Sequence, residues 1–337
     1  MKSKILLSHG SGGKLMHSLI EDVFRKKFHN EILDELGDSA VLGAVPEGKE
    51  VCFTTDSYVV NPLFFPGGDI GRLAMCGTIN DLASVGAKPL YISCGFIIEE
   101  GLQIHTLEKI VESMSRVCVE EGVRIVTGDV KVVERNSADK VFINTSGIGI
   151  KENTVELNRS SIKPTDRIIV SGTIGEHGLA ILSARESLQF EAEILSDCTP
   201  LSRMVSEILE ASSMVKFMRD PTRGGVAVTL NEMVEGMDFG ILIQQRKIPV
   251  RDEVKSLCEI LGFDPLYIAN EGKIVLVVSK EDAENVLKIM RRNPVGRKSE
   301  IIGEITEEPE GRVIMETEIG GHRVIDMPVG EQLPRIC

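Results

Sequence analysis

Five short segments of this chain set an aspartate beside a glycine or at the edge of an apolar run. Asp38 follows a glycine in GDSAV, and Asp56 interrupts the strand-like TTDSYVV. Asp81 comes early in INDLASVGAKP, and Gly128 and Asp129 end an apolar run in TGDVKVVE, with Lys131 two residues on. In MRDPTRGG, Asp220 precedes a proline, then Arg223, Gly224 and Gly225. Each alone has an ordinary explanation: Asp38 as a turn residue, Asp81 as a helix N-terminal charge, Asp220 as an Asx-turn. Together they point to chemistry, because carboxylates beside buried strands are costly unless a positive charge meets them. Hard oxygen ligands suit Mg²⁺, which commonly bridges to phosphates, and a glycine pair opening a helix presents N–H groups to an anion.

Three further features carry possible chemistry. Glu271, in ANEG before an apolar strand, reads as a turn residue or as a general base. The segment HGSGGK (9–14) resembles a phosphate loop but lacks the Walker spacing. Lys14 therefore belongs to a glycine-rich arm or to a plain turn before a helix, and His9 stays equally open. The chain's last residue is Cys337, at the end of a segment (326–337) with two prolines and little apolar periodicity. Such a segment is expected to be flexible, and twelve residues can reach on the order of 40 Å. A thiol there is either a tethered nucleophile or one of seven cysteines that happens to fall last. No CxxC occurs, and the other six cysteines have apolar neighbours, as expected of reduced, buried thiols; nothing near Cys337 offers to bury it.

Alternating helices and strands must hold these groups. Helical spacing covers 14–28, with Leu15, Leu19, Val23 and Phe24 on one face, then 69–86, 105–121, 176–188, 200–213, 224–236, 250–261 and 281–292. Strands are expected at 51–60, 91–98, 123–130, 141–150, 166–172, 239–245 and 273–279, with short ones near 299–306 and 311–326. A polar join at 151–165 separates two α/β or α+β domains, 1–155 and 156–325, followed by the tail 326–337.

Composition narrows the partners. Thirty-eight basic residues against 51 acidic ones give a net charge of −13, without a basic stripe, so nucleic acid is not expected. No apolar run is long enough to span a bilayer, and the start has no secretory pattern, so a soluble, cytoplasmic protein is expected.

In order, LSHGSGGK, GDSAV, TTDSYVV, NDLASVGAKP, TGDVKVV, RDPTRGG, ANEG and the terminal PRIC resemble the HypE family of hydrogenase maturation proteins, from residue 7 to residue 337. That family sits in a superfamily with aminoimidazole ribonucleotide synthetase, selenophosphate synthetase and thiamine monophosphate kinase. The resemblance implies a two-domain PurM-like fold in which the N-terminal domain, holding ATP and Mg²⁺, forms a homodimer through a shared β-barrel. It also implies that a carbamoyltransferase, HypF, loads Cys337, that ATP then drives dehydration of the S-carboxamide to an S-cyanide, and that a HypC–HypD scaffold accepts the cyanide. On the matching motifs, Asp38, Asp56, Asp81 and Asp129 would serve Mg²⁺, with Asp81 also catalytic. Gly128, Asp129, Asp220, Arg223, Gly224, Gly225 and Lys14 would line the ATP and substrate site. Lys131 would stand by the γ-phosphate or act as a proton-transfer group, and Glu271 would be the base. One departure is Ser39 after Asp38, where many superfamily members have a second acid; the number of ions is open there. Two other readings remain: another ATP-using member (a small-molecule kinase or an amide-activating ligase) with an incidental Cys337, or a binding module whose tail docks on a partner.

Overall fold

The computed structural model describes residues 4–10, 14–35, 40, 42–152, 154–186, 194–328, 333 and 335–337, without the side chains of Gly10, Lys14 and Glu35. Ser11, Gly12, Gly13, Asp38, Ser39 and part of the tail lie outside the described residues, as does the side chain of Lys14.

The first helix does not run as one α-helix. α1 (Lys14–Leu19) passes through a π-helical stretch, Ile20–Arg25, into α2 (Lys26–Phe28). The wider turn brings the consecutive residues Val23 and Phe24 into the core together with Phe28, while Leu15 stays exposed.

A four-stranded sheet follows, built from β1 (Lys49–Tyr58), β4 (Lys88–Glu99), β5 (Arg124–Val133) and β6 (Val141–Glu152) in the order β1-β6-β4-β5. Only the β4/β5 pair is parallel. A small hairpin of β2 (Phe64–Phe65) and β3 (Gly68–Asp69), which periodicity did not reveal, leads into α3 (Ile70–Ser84). The Asp69 carboxylate caps α3 by accepting from the amides of Gly71 (2.8 Å) and Arg72 (3.1 Å). α3 is almost wholly buried, and α4 (Ile104–Glu121) packs on it before ending at Gly122, whose φ of 66° gives the left-handed turn.

The second half holds a seven-stranded sheet in the order β13-β12-β9-β11-β7-β10-β8. Its strands are β7 (Arg167–Val170), β8 (Val215–Arg219), β9 (Gly240–Gln244), β10 (Val275–Val278), β11 (Glu300–Thr306), β12 (Val313–Glu316) and β13 (His322–Val324). β10 is buried on both faces, hence its unbroken VLVV run. In this half β8 is the strand that sequence reasoning missed; its VKFMR, at the sheet edge, has no clean alternation. The helices α5 (Glu176–Arg185), α6 (Ser202–Ala211), α7 (Gly225–Val234), α8 (Asp252–Leu261) and α9 (Ala283–Arg292) complete this half. One buried cluster joins Ile79, Cys76 and Tyr58 of the first half to Leu179, Cys198, Ile268, Leu333 and Ile336 of the second. The two halves therefore share one apolar core at their junction.

Candidate active site

A cleft of about 540 Å³ opens at that junction, with Asp56, Asp81, Arg219, Asp220, Arg223, Glu271 and Cys337 on its walls. Period-two alternation along β1 turns Thr54 and Asp56 toward α3 and leaves Phe53 and Thr55 exposed. Across from them, Asp81 on the last turns of α3 accepts a hydrogen bond from the Thr54 hydroxyl at 2.7 Å. α3 thus offers a half-buried carboxylate from inside the fold, near its C-terminus and not at its start.

Two asparagines fasten the opposite wall. Asn80 donates to the carbonyls of Thr199 (3.1 Å) and Glu271 (3.1 Å) and accepts from the Leu201 amide (2.8 Å). Asn270 accepts from the Gly175 amide (2.8 Å) and donates to the carbonyls of Pro221 (3.2 Å) and Ile268 (3.0 Å). The Asp220–Pro221 turn and the 270–273 loop are thereby fixed to each other and to α3. Beneath Glu271, Asp197 accepts from the amides of Glu271 (3.1 Å) and Gly272 (3.2 Å) and from Lys273 Nζ (2.8 Å). Sequence reasoning assigns no role to these four anchors; the ND of NDLASVG and the NEGK of 270–273 are their only visible trace.

Electrostatics follow from crowding of like charge. Burial, and then the neighbouring Asp81, push Asp220 up to about 7. Burial followed by Asp220, Asp197 and Asp56 lifts Glu271 well above the usual carboxylate range. Asp81 is raised by burial and by Asp56, against the Thr54 hydrogen bond. Asp197 goes the other way: burial alone would raise it, but the Lys273 ammonium at 2.8 Å holds it below its ordinary value.

Such a donor set fits a divalent cation, whose charge would relieve the mutual repulsion of Asp56, Asp81 and Asp220. Among the described residues no three acidic, cysteine or histidine groups lie close enough to hold a metal by themselves. An ion here would complete its shell from water and phosphate oxygens, as Mg²⁺ commonly does.

Asp129 and Lys131 are elsewhere. They pair with each other on β5 at 2.9 Å, both well exposed. Asp56 and Gly128 lie in one row across the sheet, so three strand spacings of about 4.8 Å, roughly 14 Å, separate β1 from β5. Gly128 itself is needed there because a Cβ would press on the Cys94 carbonyl at 2.5 Å. Gly224 (φ 76°) and Gly225 (φ 62°) do open α7, and a Cβ on Gly225 would run into the carbonyls of Ile268 (2.5 Å) and Leu266 (2.6 Å). Their glycines serve turn geometry and close packing as well as whatever they admit.

The terminus is docked in the cleft of its own chain. Val59 donates its amide to the Cys337 carbonyl (3.2 Å) and Asn61 to that of Arg335 (3.4 Å), just past the end of β1. Leu333 and Ile336 are buried, and Arg335 pairs with Asp139 at 2.9 Å. Cys337 itself is half-buried against the core, although its own sequence neighbours gave no sign of how it could be covered.

Comparison with known proteins agrees with this architecture. The AIR synthase related protein family matches twice, its N-terminal domain over residues 36–151 and its C-terminal domain over 163–316. A hydrogenase expression/formation protein of Methanocaldococcus jannaschii is 50% identical, covering 99% of this chain and all of its own. The carbamoyl dehydratase HypE of Azotobacter vinelandii is 49% identical over 98% of this chain and 96% of its own. A crystal structure of HypE in complex with ATP superposes with a TM-score of 0.94 at 45% identity, covering 98% of this chain and 99% of that one. A HypE–HypF complex superposes at 0.80 with 47% identity, covering 92% and 100%. A PurL structure at 19% identity and a TM-score of 0.63, spanning 82% of this chain and 44% of that one, shares the fold alone, which is PurM-like.

Proposed function

The chain belongs to the HypE carbamoyl dehydratase family, and from that premise we propose that it uses ATP to dehydrate an S-carbamoyl group on Cys337 to an S-cyanide. The observation that carries this reading is Cys337 lining the same cleft as Asp81, Asp220 and Glu271.

An amide oxygen leaves poorly, whereas the same oxygen as a phosphate ester leaves well. The carbamoyl oxygen attacks the γ-phosphorus, forming an O–P bond as the bond to ADP breaks. The C–O bond then breaks, phosphate departs, and the two N–H protons are lost as the nitrile forms. In sum, the S-carboxamide and ATP give the S-cyanide, ADP and inorganic phosphate. Phosphoryl transfer of this kind depends mainly on positioning and charge neutralisation. Mg²⁺, when bound, would neutralise phosphate charge; Asp56 and Asp81, which line the cleft, would hold it, with Asp38 outside the described residues.

Glu271 is the group we assign to N–H proton removal. Its raised affinity for protons makes it a stronger base than an ordinary carboxylate once ionised. Arg219 and Arg223, on the same wall, would face phosphate. Asp129 and Lys131, roughly 14 Å across the sheet, would act on the phosphates where an extended nucleotide, or the facing sheet of a second copy, brings them into range.

The homodimer would form through β1, an edge strand that exposes Val51 and Phe53. HypF would load the thiol and a HypC–HypD scaffold would accept the cyanide for a [NiFe] hydrogenase iron. Seven reduced cysteines suit the cytoplasm as the place of action.

Intact-mass analysis tests the proposal. Protein carbamoylated on Cys337 should lose the mass of one water on adding ATP and Mg²⁺, on the C-terminal peptide. A Cys337→Ala variant that turned over a free small substrate with ATP would show instead that the thiol is incidental.

A further inference from the structure

His177, near the start of α5, is fully buried and takes no part in the chemistry above. One ring nitrogen, Nε2, lies 2.7 Å from the carbonyl oxygen of Ile336, the penultimate residue, 159 positions away. The other, Nδ1, lies 2.8 Å from the Ser196 hydroxyl. A carbonyl only accepts, so Nε2 must carry the proton and Nδ1 must accept. Ser196 then donates to Nδ1 while its oxygen accepts from the Cys198 amide at 3.1 Å. A directional chain results, running from the Cys198 amide through Ser196 and the imidazole to the tail. Phe65 meets the imidazole edge-on at 5.7 Å and holds the ring plane.

We infer that His177, assisted by Arg185, is a positioning residue that reads the backbone of the last residues and thereby sets Cys337 in the cleft. Arg185 closes the other side: its Nη2 donates to the Arg335 carbonyl at 2.7 Å and its Nε to that of Asn61 at 2.9 Å. The docked tail is thus gripped at consecutive carbonyls, 335 and 336, from α5, and at 335 and 337 from the chain after β1. None of these bonds involves the sulfur. Backbone recognition of this kind accepts the tail whether its thiol is bare or carbamoylated, and it can be broken and remade at each loading cycle. Burial disfavours the imidazolium, which keeps the neutral tautomer in place despite nearby Asp197, while Lys273 adds to that preference.

The catalytic part of this inference rests on the proposed dehydration; the docking part does not, and the experiment separates them. Amide hydrogen exchange is read at Val59 and Asn61, whose N–H groups the tail covers, in the full-length unloaded protein. His177→Leu removes the donor and keeps bulk, whereas His177→Gln offers an N–H near the Nε2 position. In His177→Leu, exchange at both amides should rise about two- to tenfold, the range of one net hydrogen bond. Exchange in Val275–Val278 of the second sheet should stay unchanged, and His177→Gln should restore protection. In carbamoylated protein, the same Leu variant should lower the single-turnover rate constant for dehydration at saturating ATP, with the ATP concentration for half-maximal rate unchanged. Arg185→Met, at the less buried end of the grip, gives the same readout should His177→Leu not fold. Unchanged exchange at both amides in a folded variant would overturn the assignment. So would a loss of protection in Leu that Gln fails to restore, since that marks packing and not the hydrogen bond. Altered exchange with unaltered turnover would leave the docking and reject its catalytic role.

Discussion

Asp220 has a carboxyl that stays protonated to a pH of about 7. Unfolded, it would lose that proton near its ordinary value of 3.8. The folded state therefore binds the extra proton, and stability falls as pH rises between those two values. Three units correspond to at most about 4 kcal/mol, less where water in the open cleft screens the charge. Asp220→Asn should flatten that decline in magnesium- and nucleotide-free protein, as thermal unfolding across pH 5 to 8 would show; a parallel decline in the variant would mean another group is responsible. Asp81→Asn should abolish ATP hydrolysis without lowering the melting temperature, because it removes a crowded, partly desolvated charge. Wild-type turnover with unchanged Mg²⁺ dependence would remove Asp81 from the site. For Glu271→Gln, calorimetry should find ATP binding intact while mass analysis finds no nitrile; undiminished cyanylation would rule it out as the base.

The 270–273 loop is the element that most depends on a single buried pair. Lys273 and Asp197 are both nearly inaccessible, and Asp197 also accepts from two backbone amides of the loop. Lys273→Met would leave that carboxylate buried without its cation, at a cost of about 3–5 kcal/mol in urea unfolding. A change below about 1 kcal/mol would show that water or rearrangement compensates. This loop also marks a limit of reading by pattern. An apolar VLVV reveals β10 directly, and a glycine after an amphipathic run reveals the end of α4. Asp197, Asn80 and Asn270 gave no such signal, because each acts on main-chain groups distant along the chain. The π-helical stretch after α1 was equally silent, since an added residue in one turn shifts the buried face without changing composition.

At the scale of the whole molecule, β1 ends the four-stranded sheet with exposed Phe53 beside exposed Val51. An uncovered apolar edge of this kind invites pairing, and a second copy of the same edge is self-complementary. Phe53→Glu should halve the mass measured by sedimentation if β1 forms the dimer; an unaltered mass would place the interface elsewhere. The exposed position of Asp129 and Lys131 makes the same variant informative about catalysis, since a nucleotide site shared between copies would lose turnover along with the dimer.

By itself the sequence determined the alternation of helices and strands, the acidic and glycine-rich motifs, and their end-to-end resemblance to one family. Those features are local, because period, turn residues and motif spacing are written within a few positions of each other. Tertiary structure alone decided which carboxylates meet, that Asp56, Asp81, Asp220 and Glu271 share a cleft while Asp129 stands across the sheet, and where the terminus rests. The reason is physical: the proton affinities in that cleft come from burial and from charges brought together across the chain junction, and the tail is held by backbone carbonyls that every sequence possesses.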